Sequence, residues 1–390
     1  MQTGKDMTSF EFQTVPSFII EFGGARRLGA ILRERYALRR LCLVTDAFLH
    51  NSGLLDAALA SLRDEGWEVS VIDDVVADPP QAVVLAAAAR ARAACAEIIL
   101  GLGGGSSLDV AKLIAVLAAS EQSLDDMYGV GKVTGPRLPL VQMPTTAGTG
   151  SEVTPISIVT TGETTKAGIV SPHLYADLAI LDAELTVGLP AKITAATGMD
   201  AMVHAIEAYT SRVRKNPMSD MLAIQAIKIM TDNLLPACQD GGDRRAREGM
   251  LLGAMLAGQA FANAPVAAVH ALAYPLGGIF HVPHGASNVL VLPHVLRFNL
   301  PVAHALYAEL ADVAVPGCKG STEARALALI HYLEGLAGAT RMVTTLRQVG
   351  VKVTDLPLLA QNAMLQTRLL ANNPREVTER DALAIYQAAF

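Results

Sequence analysis

Cysteine is scarce in this chain of 390 residues, and its four cysteines are far apart. Cys42, Cys95, Cys238 and Cys318 form no Cys-x-x-Cys pair, so neither a disulfide framework nor a thiolate zinc site is expected. The N-terminal sequence Met-Gln-Thr-Gly-Lys-Asp has no apolar core of the kind found in signal peptides. We therefore expect a protein of a reducing compartment, and the cytoplasm is its predicted location.

An excess of charge of either sign is also missing. The chain has 31 basic and 37 acidic residues, which gives a formal net charge of -6. This balance provides no basic surface for nucleic acid, and no block of like charge indicates a membrane-surface patch. With half of its residues apolar, the chain has material for a large core, and its length favours two domains. The expected partner is a small molecule.

Between Glu248 and Arg297 there is no Asp, Glu, Lys or Arg, although a membrane-spanning helix needs only about 20 apolar residues. Prolines 265, 275 and 283 and several polar residues interrupt this segment. The pattern predicts buried helices around polar side chains rather than a membrane span.

The first half of the chain alternates short apolar runs with helical patterns, which indicates a parallel sheet covered on both faces. The predicted strands are 18–21, 41–45, 68–72, 97–102 and 138–143, followed by a β-rich stretch at 156–159, 168–170 and 178–182. The predicted helices between them are 25–35, 54–65, 81–95 and 108–119.

From Ala191 onward the pattern is helical and strand signals nearly vanish. The predicted helices are 191–211, 218–233, 244–263, 302–314, 322–336 and 344–348. Because a proline commonly precedes a helix, the boundary is predicted at Leu189-Pro190. The fold prediction is thus an α/β N-terminal dinucleotide-binding domain over 1–189 and an all-helical metal-binding domain over 190–390.

Four residues have the character of a divalent-metal site: Asp200, His204, His270 and His284. Asp200 and His204 are four residues apart in a predicted helix, so one ion can reach both side chains. One carboxylate and three imidazoles suit Fe²⁺ or Zn²⁺. Isolated histidines in apolar segments are more often core residues, and that interpretation stays open for each of them alone.

A glycine-rich loop, Gly101-Leu-Gly103-Gly104-Gly105-Ser106-Ser107-Leu-Asp109, follows a predicted strand and opens a predicted helix. Backbone N–H groups of such a loop, together with the helix N-terminus, bind phosphate. Ser106 takes the place of the third glycine of the usual Gly-x-Gly-x-x-Gly motif. The loop therefore predicts a related but distinct dinucleotide site.

Two further segments complete the predicted cofactor site. Asp46 ends a predicted strand, where a carboxylate either accepts from the adenosine ribose and disfavours a 2′-phosphate, or caps a helix. The segment 144–152, with Thr145, Thr146 and Thr149, follows another predicted strand. Its hydroxyls and glycines suit a second wall around a pyrophosphate or nicotinamide, although by itself it is a polar loop.

Taken together, these segments resemble the iron-containing (group III) alcohol dehydrogenases, and the likeness covers nearly the whole chain. The most specific pieces are Gly-Gly-Gly-Ser at 103–106, Pro-Thr-Thr-Ala-Gly-Thr-Gly-Ser-Glu at 144–152, Gly-Met-Asp-Ala-Met-Val-His-Ala-Ile-Glu at 198–207, and His270 with Pro283-His284-Gly285. All four follow one another in the family's order.

The resemblance implies a two-domain, dehydroquinate-synthase-like architecture with the active site in the cleft, and a homo-oligomer. It implies metal coordination, with Fe²⁺ or alternatively Zn²⁺, by the four residues named above. It implies NAD binding, with Asp46 setting the preference for NAD and the remaining contacts made by Gly103, Gly104, Gly105, Ser106, Asp109, Thr145, Thr146, Thr149 and Lys166. A turn lysine exposed to solvent is the alternative interpretation of Lys166.

Tyr274 stands where several members of this family carry a further histidine that relays protons. We expect Tyr274 either to pass a proton or to line the substrate pocket. His281 is interpreted as a neighbour of the site or a core residue rather than a ligand.

The predicted function is therefore a metal-dependent, NAD-linked oxidoreductase for a small primary alcohol or its aldehyde. Alternatives are a maleylacetate-type reductase, a dehydroquinate-synthase-like lyase and a non-catalytic NAD-binding protein. The intact Asp/His set disfavours the reductase. The lyase needs basic residues for a phosphate and a carboxylate, and the uncharged segment 249–296 offers none.

Overall fold

The structure is a computed structural model that describes residues 9–162 and 165–390. The N-terminal residues on which the signal-peptide prediction rests lie outside the described residues, as do residues 163 and 164.

Six parallel strands form the main sheet, in the order β1-β9-β6-β4-β2-β3. The strands of the described residues are β1 Phe18–Ile20, β2 Arg40–Val44, β3 Glu68–Ile72, β4 Ile98–Gly103, β5 Gly129–Val130, β6 Leu140–Pro144, β7 Ile156–Thr161, β8 Thr165–Val170 and β9 Leu178–Leu181. Strands β5, β8 and β7 form a separate small sheet, in which β8 pairs antiparallel with β7. The predicted β-rich stretch is therefore divided between two sheets.

Helices cover both faces of the main sheet, because side chains of successive strand residues point to opposite faces. In β2, Leu41 and Leu43 belong to the core cluster that includes α1 and α3, whereas Cys42 and Val44 belong to the cluster that includes α4 and α5. The helices of this half are α1 Leu28–Arg33, α2 Ala47–Asn51, α3 Asp56–Asp64, α4 Gln81–Ala93 and α5 Gly105–Ala119.

The rest of the chain is helical, and no strand follows β9 within the described residues. The helices are α6 Ala191–Thr210, α7 Pro217–Gln239, α8 Arg244–Asn263, α9 Ala268–Phe280, α10 His284–Ala314, α11 Thr322–Ala339, α12 Leu356–Met364, α13 Thr367–Leu370 and α14 Glu379–Ala389. The predicted fold class is confirmed. The predicted domain boundary falls between β9 and α6 and stays a prediction.

Helices α9 and α10 depart most from the sequence-based assignment. Of the three prolines taken as interruptions, Pro275 lies inside α9, whereas Pro265 precedes α9 and Pro283 is the N-cap of α10. Two further prolines, Pro293 and Pro301, lie inside α10. The helix predicted to begin at Val302 is the last part of the 31-residue α10, and the helix predicted at 344–348 is a 3-10 turn, Leu346–Val349. A proline removes one backbone hydrogen bond and kinks a helix, and packing against neighbouring helices keeps these helices continuous.

By length and composition alone, α10 could span a membrane, a property that it shares with core helices of soluble proteins. It packs against α6, α7, α9 and α11, and sixteen of its residues are buried. This packing supports the predicted buried helical core.

Candidate active site

The four predicted metal ligands converge on one point. Asp200 and His204 lie one turn apart on α6, His270 lies in the first turn of α9, and His284 is the first residue of α10. One ligand atom from each lies within 4.8 Å of the others. The Oδ1 atom of Asp200 is 4.0, 3.8 and 3.5 Å from Nε2 of His204, His270 and His284, respectively. This donor set fits Fe²⁺ or Zn²⁺.

Burial favours the neutral form of two histidines of the cluster. It lowers the pKa of His204, and it lowers the pKa of His270 well below its usual value, with His204 and His284 adding to the effect on His270. Burial alone would raise the pKa of Asp200, but the three histidines and the amide of Asn288 outweigh it and keep that pKa below its usual value. Neutral imidazoles beside an ionised carboxylate are the forms that bind a cation.

Glu207, which the sequence reasoning missed, orients His270. Its carboxylate lies 2.6 Å from Nδ1 of His270 and accepts from the backbone N–H groups of Ala267 and Val269 at 2.9 and 2.7 Å. A hydrogen bond of this kind fixes the imidazole with its Nε2 lone pair towards the cluster. Burial raises the pKa of Glu207 to about 7, although the two backbone donors oppose this. The available signal was the position of Glu207, one turn after His204.

Asn288 was also missed, and it reaches into the cluster from α10. Its Nδ2 donates to Oδ1 of Asp200 at 2.5 Å and lies 3.4 Å from Nε2 of both His270 and His284. Its own Oδ1 is buried without a hydrogen-bond partner among the described residues. Asn288 therefore stabilises the Asp200 carboxylate. Its spacing of four residues after His284 was the signal in the sequence.

A cavity of about 430 Å³ lies between the two halves of the chain and contains the cluster. Of the predicted cofactor residues, Gly105, Ser106, Asp109, Thr149 and Lys166 line it. Tyr274 lines it too, with its ring centroid 6.0 Å from that of His284. The cavity thus joins part of the predicted cofactor loop to the metal cluster.

The other predicted cofactor residues do not line this cavity, but they lie along one edge of the main sheet. Gly103, Thr145 and Asp46 stand at, or within two residues after, the carboxyl ends of β4, β6 and β2, and these strands are neighbours in the order β6-β4-β2. The backbone N–H of Thr145 donates to the carbonyl of Gly103 at 3.0 Å. Ligands of open α/β sheets bind at this edge.

Two glycines allow the cofactor loops to pack this closely. A Cβ atom on Gly105 would lie 2.7 Å from Cγ2 of Thr149, and one on Gly103 would lie 2.8 Å from the side chain of Ser107. Gly104 lies between them at the N-cap of α5, with 4.0 Å between its would-be Cβ and Thr146. The backbone at the start of α5 is therefore held close to the threonine loop.

Asp46 caps a helix. Its Oδ1 accepts from the N–H of Leu49 at 2.9 Å at the start of α2. This is the alternative that the sequence left open. The capping carboxylate keeps acceptor capacity for a ribose hydroxyl, because one backbone donor occupies only one of its acceptor positions.

Asp109 is fixed by protein contacts. It accepts from Ser151 Oγ at 2.5 Å and from the N–H of Ile158 at 2.9 Å. Beneath it, the fully buried amine of Lys112 donates to Ser151 Oγ at 2.7 Å and to the carbonyl of Ile156 at 2.6 Å. This network, which the sequence reasoning did not find, ties α5 to the threonine loop and to β7.

Lys166 is not the solvent-exposed turn lysine of the alternative interpretation, and His281 is not a core residue. The Lys166 side chain is 9% exposed, and its Nζ donates to Asp78 at 2.6 Å. His281 is exposed at the C-cap of α9 with a left-handed φ of 54°. The core interpretation of His281 is wrong, because the turn after α9 points this residue outward.

Comparison with known proteins agrees with this arrangement. The sequence model described as iron-containing alcohol dehydrogenase matches residues 16–183, and that of the C-terminal part of the same family matches residues 194–390. The chain belongs to the iron-containing alcohol dehydrogenase family. The family prediction from the sequence is confirmed.

Individual members of the iron-containing alcohol dehydrogenase family are similar over nearly the whole chain. The long-chain-alcohol dehydrogenase 1 of Geobacillus thermodenitrificans is 42% identical, covering 92% of this chain and 91% of that protein. The crystal structure of a 1,3-propanediol oxidoreductase has a TM-score of 0.94 at 37% identity, covering 98% of this chain and all of the other. The sulfoacetaldehyde reductase of Bifidobacterium kashiwanohense, solved with NAD⁺, has a TM-score of 0.87 at 30% identity, covering 98% and 99% of the two chains.

As a member of this family, the protein is an oxidoreductase that acts on alcohols, and the family uses NAD and iron. The predicted enzyme class and cofactors are confirmed at this level.

Proposed function

We propose that this protein interconverts a small primary alcohol and its aldehyde with NAD, using a divalent ion held by Asp200, His204, His270 and His284. The convergence of these four side chains in a cavity shared with the cofactor loop carries the proposal. A divalent ion at this position supplies Lewis acidity to the substrate oxygen, and NAD supplies the hydride chemistry.

The protein's own contribution is binding and orientation. The N–H groups at the start of α5 offer a site for the cofactor's pyrophosphate, and Lys166 lies where it can contact the nicotinamide ribose. Gly105 and Ser106 at the start of α5 line the cavity that contains the cluster, and so does Lys166. A cofactor and a substrate bound together in this cavity would be held close to each other, which lowers the entropic cost of the reaction.

Tyr274 lines the cavity, with its ring 6.0 Å from that of His284. Burial raises the pKa of Tyr274 to about 12, although Arg368 opposes this. The phenol therefore keeps its proton at neutral pH and serves as a hydrogen-bond donor to the substrate oxygen. We propose this pocket role for Tyr274 rather than proton relay.

The partners and location follow from the same proposal. We expect a cytoplasmic homo-oligomer that binds neither nucleic acid nor membrane. Supporting the oligomer, β1 is an edge strand of the sheet, and its residues Phe18 and Ile20 are 45% and 49% exposed. Light scattering on the purified protein tests the oligomeric state, and a monomer at micromolar concentration would contradict it.

NAD reduction with a panel of short primary alcohols tests the activity, using protein stripped of metal and then reloaded with Fe²⁺ or Zn²⁺. We expect turnover that depends on the added metal. The absence of metal-dependent turnover with every alcohol would overturn the proposal.

A further inference from the structure

Two arginines from the helical half, Arg214 and Arg368, line the cavity. Neither guanidinium donates a hydrogen bond to a described residue. The backbone carbonyl of Arg214 accepts from Nδ2 of Asn216, and that of Arg368 accepts from Nδ2 of Asn372. Neither guanidinium forms an ion pair with a residue that the structure describes. Both lie outside the uncharged segment 249–296, on the segment after α6 and on α13.

The other charged groups of the cavity have partners. Lys166 pairs with Asp78 at 2.6 Å, and Asp109 is held by Ser151 and the backbone of Ile158. Asp200 belongs to the metal cluster. The two guanidinium groups are therefore the charged groups of the cavity lining that have no ion-pair or hydrogen-bond partner among the described residues.

Arg368 reaches across from the helical half to the small sheet. A Cβ atom on Gly168 of β8 would lie 3.4 Å from its Nη2, so the guanidinium rests against this strand. Its charge also opposes the effect of burial on the pKa of Tyr274, which places it near the ring that faces His284. Arg368 is thus on the cluster side of the cavity.

Arg214 lies in a loop that is fixed beside the same wall. The N–H of Arg212 donates to the carbonyl of Asn372 at 2.7 Å, and Arg214 itself has a left-handed φ of 61°. The loop keeps this conformation with the Arg214 side chain at the exposed rim of the cavity.

We propose that the cavity takes alcohols or aldehydes that carry a second, anionic group, a carboxylate or a sulfonate. Arg368 binds that group and Arg214 supports it at the rim. A guanidinium binds such oxyanions through two parallel N–H donors. This inference rests on the proposed alcohol dehydrogenase activity and narrows its substrate class.

Steady-state kinetics with matched substrates tests the inference. The substrates are a series of ω-hydroxy acids, from hydroxypropanoate to hydroxyhexanoate, hydroxyethanesulfonate, and the neutral primary alcohols of matching length. Arg368→Gln should lower kcat/KM for the anionic substrates about tenfold or more, because it removes a charged hydrogen bond. For neutral alcohols it should change kcat/KM by less than about twofold. Arg368→Lys should restore part of the loss, and Arg214→Gln should act in the same direction but less.

Arg380→Gln is the matched control, because Arg380 is exposed on α14 and does not line the cavity. This variant should leave kcat/KM unchanged for every substrate. Equal loss for neutral and anionic substrates in Arg368→Gln would overturn the inference while leaving the dehydrogenase activity in place. A raised KM for NAD with unchanged discrimination between substrates would overturn it in favour of a cofactor phosphate as the bound anion. If no alcohol of either kind reacts, the proposed function itself fails.

Discussion

The carboxylate of Glu207 lies 2.6 Å from Nδ1 of His270 and also accepts from two backbone N–H groups at the start of α9. One buried side chain thereby fixes both the beginning of a helix and the orientation of a metal-ligand candidate. Carboxylate–histidine pairs of this kind strengthen metal binding because they orient the imidazole and raise its basicity.

Replacing Glu207 with Gln should weaken Zn²⁺ or Fe²⁺ binding by about 10- to 100-fold. The amide NH₂ of glutamine cannot accept from a backbone donor, so one of the three hydrogen bonds must break. Competition with a chelator on the purified variant measures this affinity without any activity assay. Glu334→Gln is the control, since Glu334 pairs with Arg297 on a partly exposed surface. An unchanged affinity in Glu207→Gln would contradict this role.

Replacing Asn288 with Leu should destabilise the metal-free protein more than the metal-loaded protein. In the metal-free state the variant leaves the buried Asp200 carboxylate without its amide donor, at a cost of about 1–3 kcal/mol. A bound cation compensates for that loss. Thermal unfolding with and without Zn²⁺ measures the difference.

Asn299→Leu serves as the comparison for Asn288. Asn299 lies on α10, as Asn288 does, and forms a buried amide pair with Asn373, which follows α13. This variant should lose the same stability with and without metal. Equal losses in Asn288→Leu as well would show that Asn288 has only a packing role.

The stability of the cofactor half should depend on pH through Glu152. Burial raises the pKa of Glu152 from 4.5 to about 7, while its backbone contact and Lys112 oppose the rise. The folded state therefore holds a proton that the unfolded chain releases, so the contribution of this group falls as pH rises between 4.5 and about 7.

Glu152→Gln should remove this dependence. The difference in free energy of unfolding, variant minus original protein, should rise by about 2 kcal/mol when the pH is raised from about 5 to about 7.5. Urea unfolding at both values measures it. Glu97→Gln should show no such change, because hydrogen bonds from Arg40 and Arg39 lower the pKa of Glu97 and its titration lies below this window. If the free energies of unfolding of Glu152→Gln and the original protein differ by the same amount at both pH values, Glu152 does not cause the pH dependence.

Replacing Asp46 with Gly should increase the use of NADP relative to NAD, because it removes a carboxylate that repels a 2′-phosphate. Glycine is tolerated at an N-cap and costs only a few tenths of a kcal/mol, so the variant should fold normally. The ratio of kcat/KM for the two cofactors is the measurement. Asp243→Gly removes an equivalent cap from α8 and should leave that ratio unchanged. A constant ratio in Asp46→Gly would leave Asp46 with its capping role alone.

Much of the candidate site could be predicted because its parts are local in sequence. Asp200 and His204 share one helix face at a spacing of four residues, and Gly103–Ser106 stand directly between a strand and a helix. Such spacings determine local geometry before any tertiary contact forms. The strand–helix alternation likewise determined the parallel sheet.

The sequence predicted buried helices in this segment but not the bounds of α9, because Pro275 hides a helix whose continuity depends on burial. It also did not predict Glu207 and Asn288, whose roles depend on how α6, α9 and α10 cross.

Arg214 and Arg368 show most clearly what the sequence determined and what the tertiary structure decided. By itself the sequence determined a two-part α/β and helical protein of the iron-containing alcohol dehydrogenase family, with a metal-ligand set in an uncharged segment. From that lack of charge it disfavoured a lyase that needs basic residues to hold a phosphate and a carboxylate. Only the tertiary structure brings Arg214 and Arg368, from distant segments, into the cavity of His270 and His284. The charge of a cavity is decided by whichever side chains fold around it, and chain distance does not limit which these are.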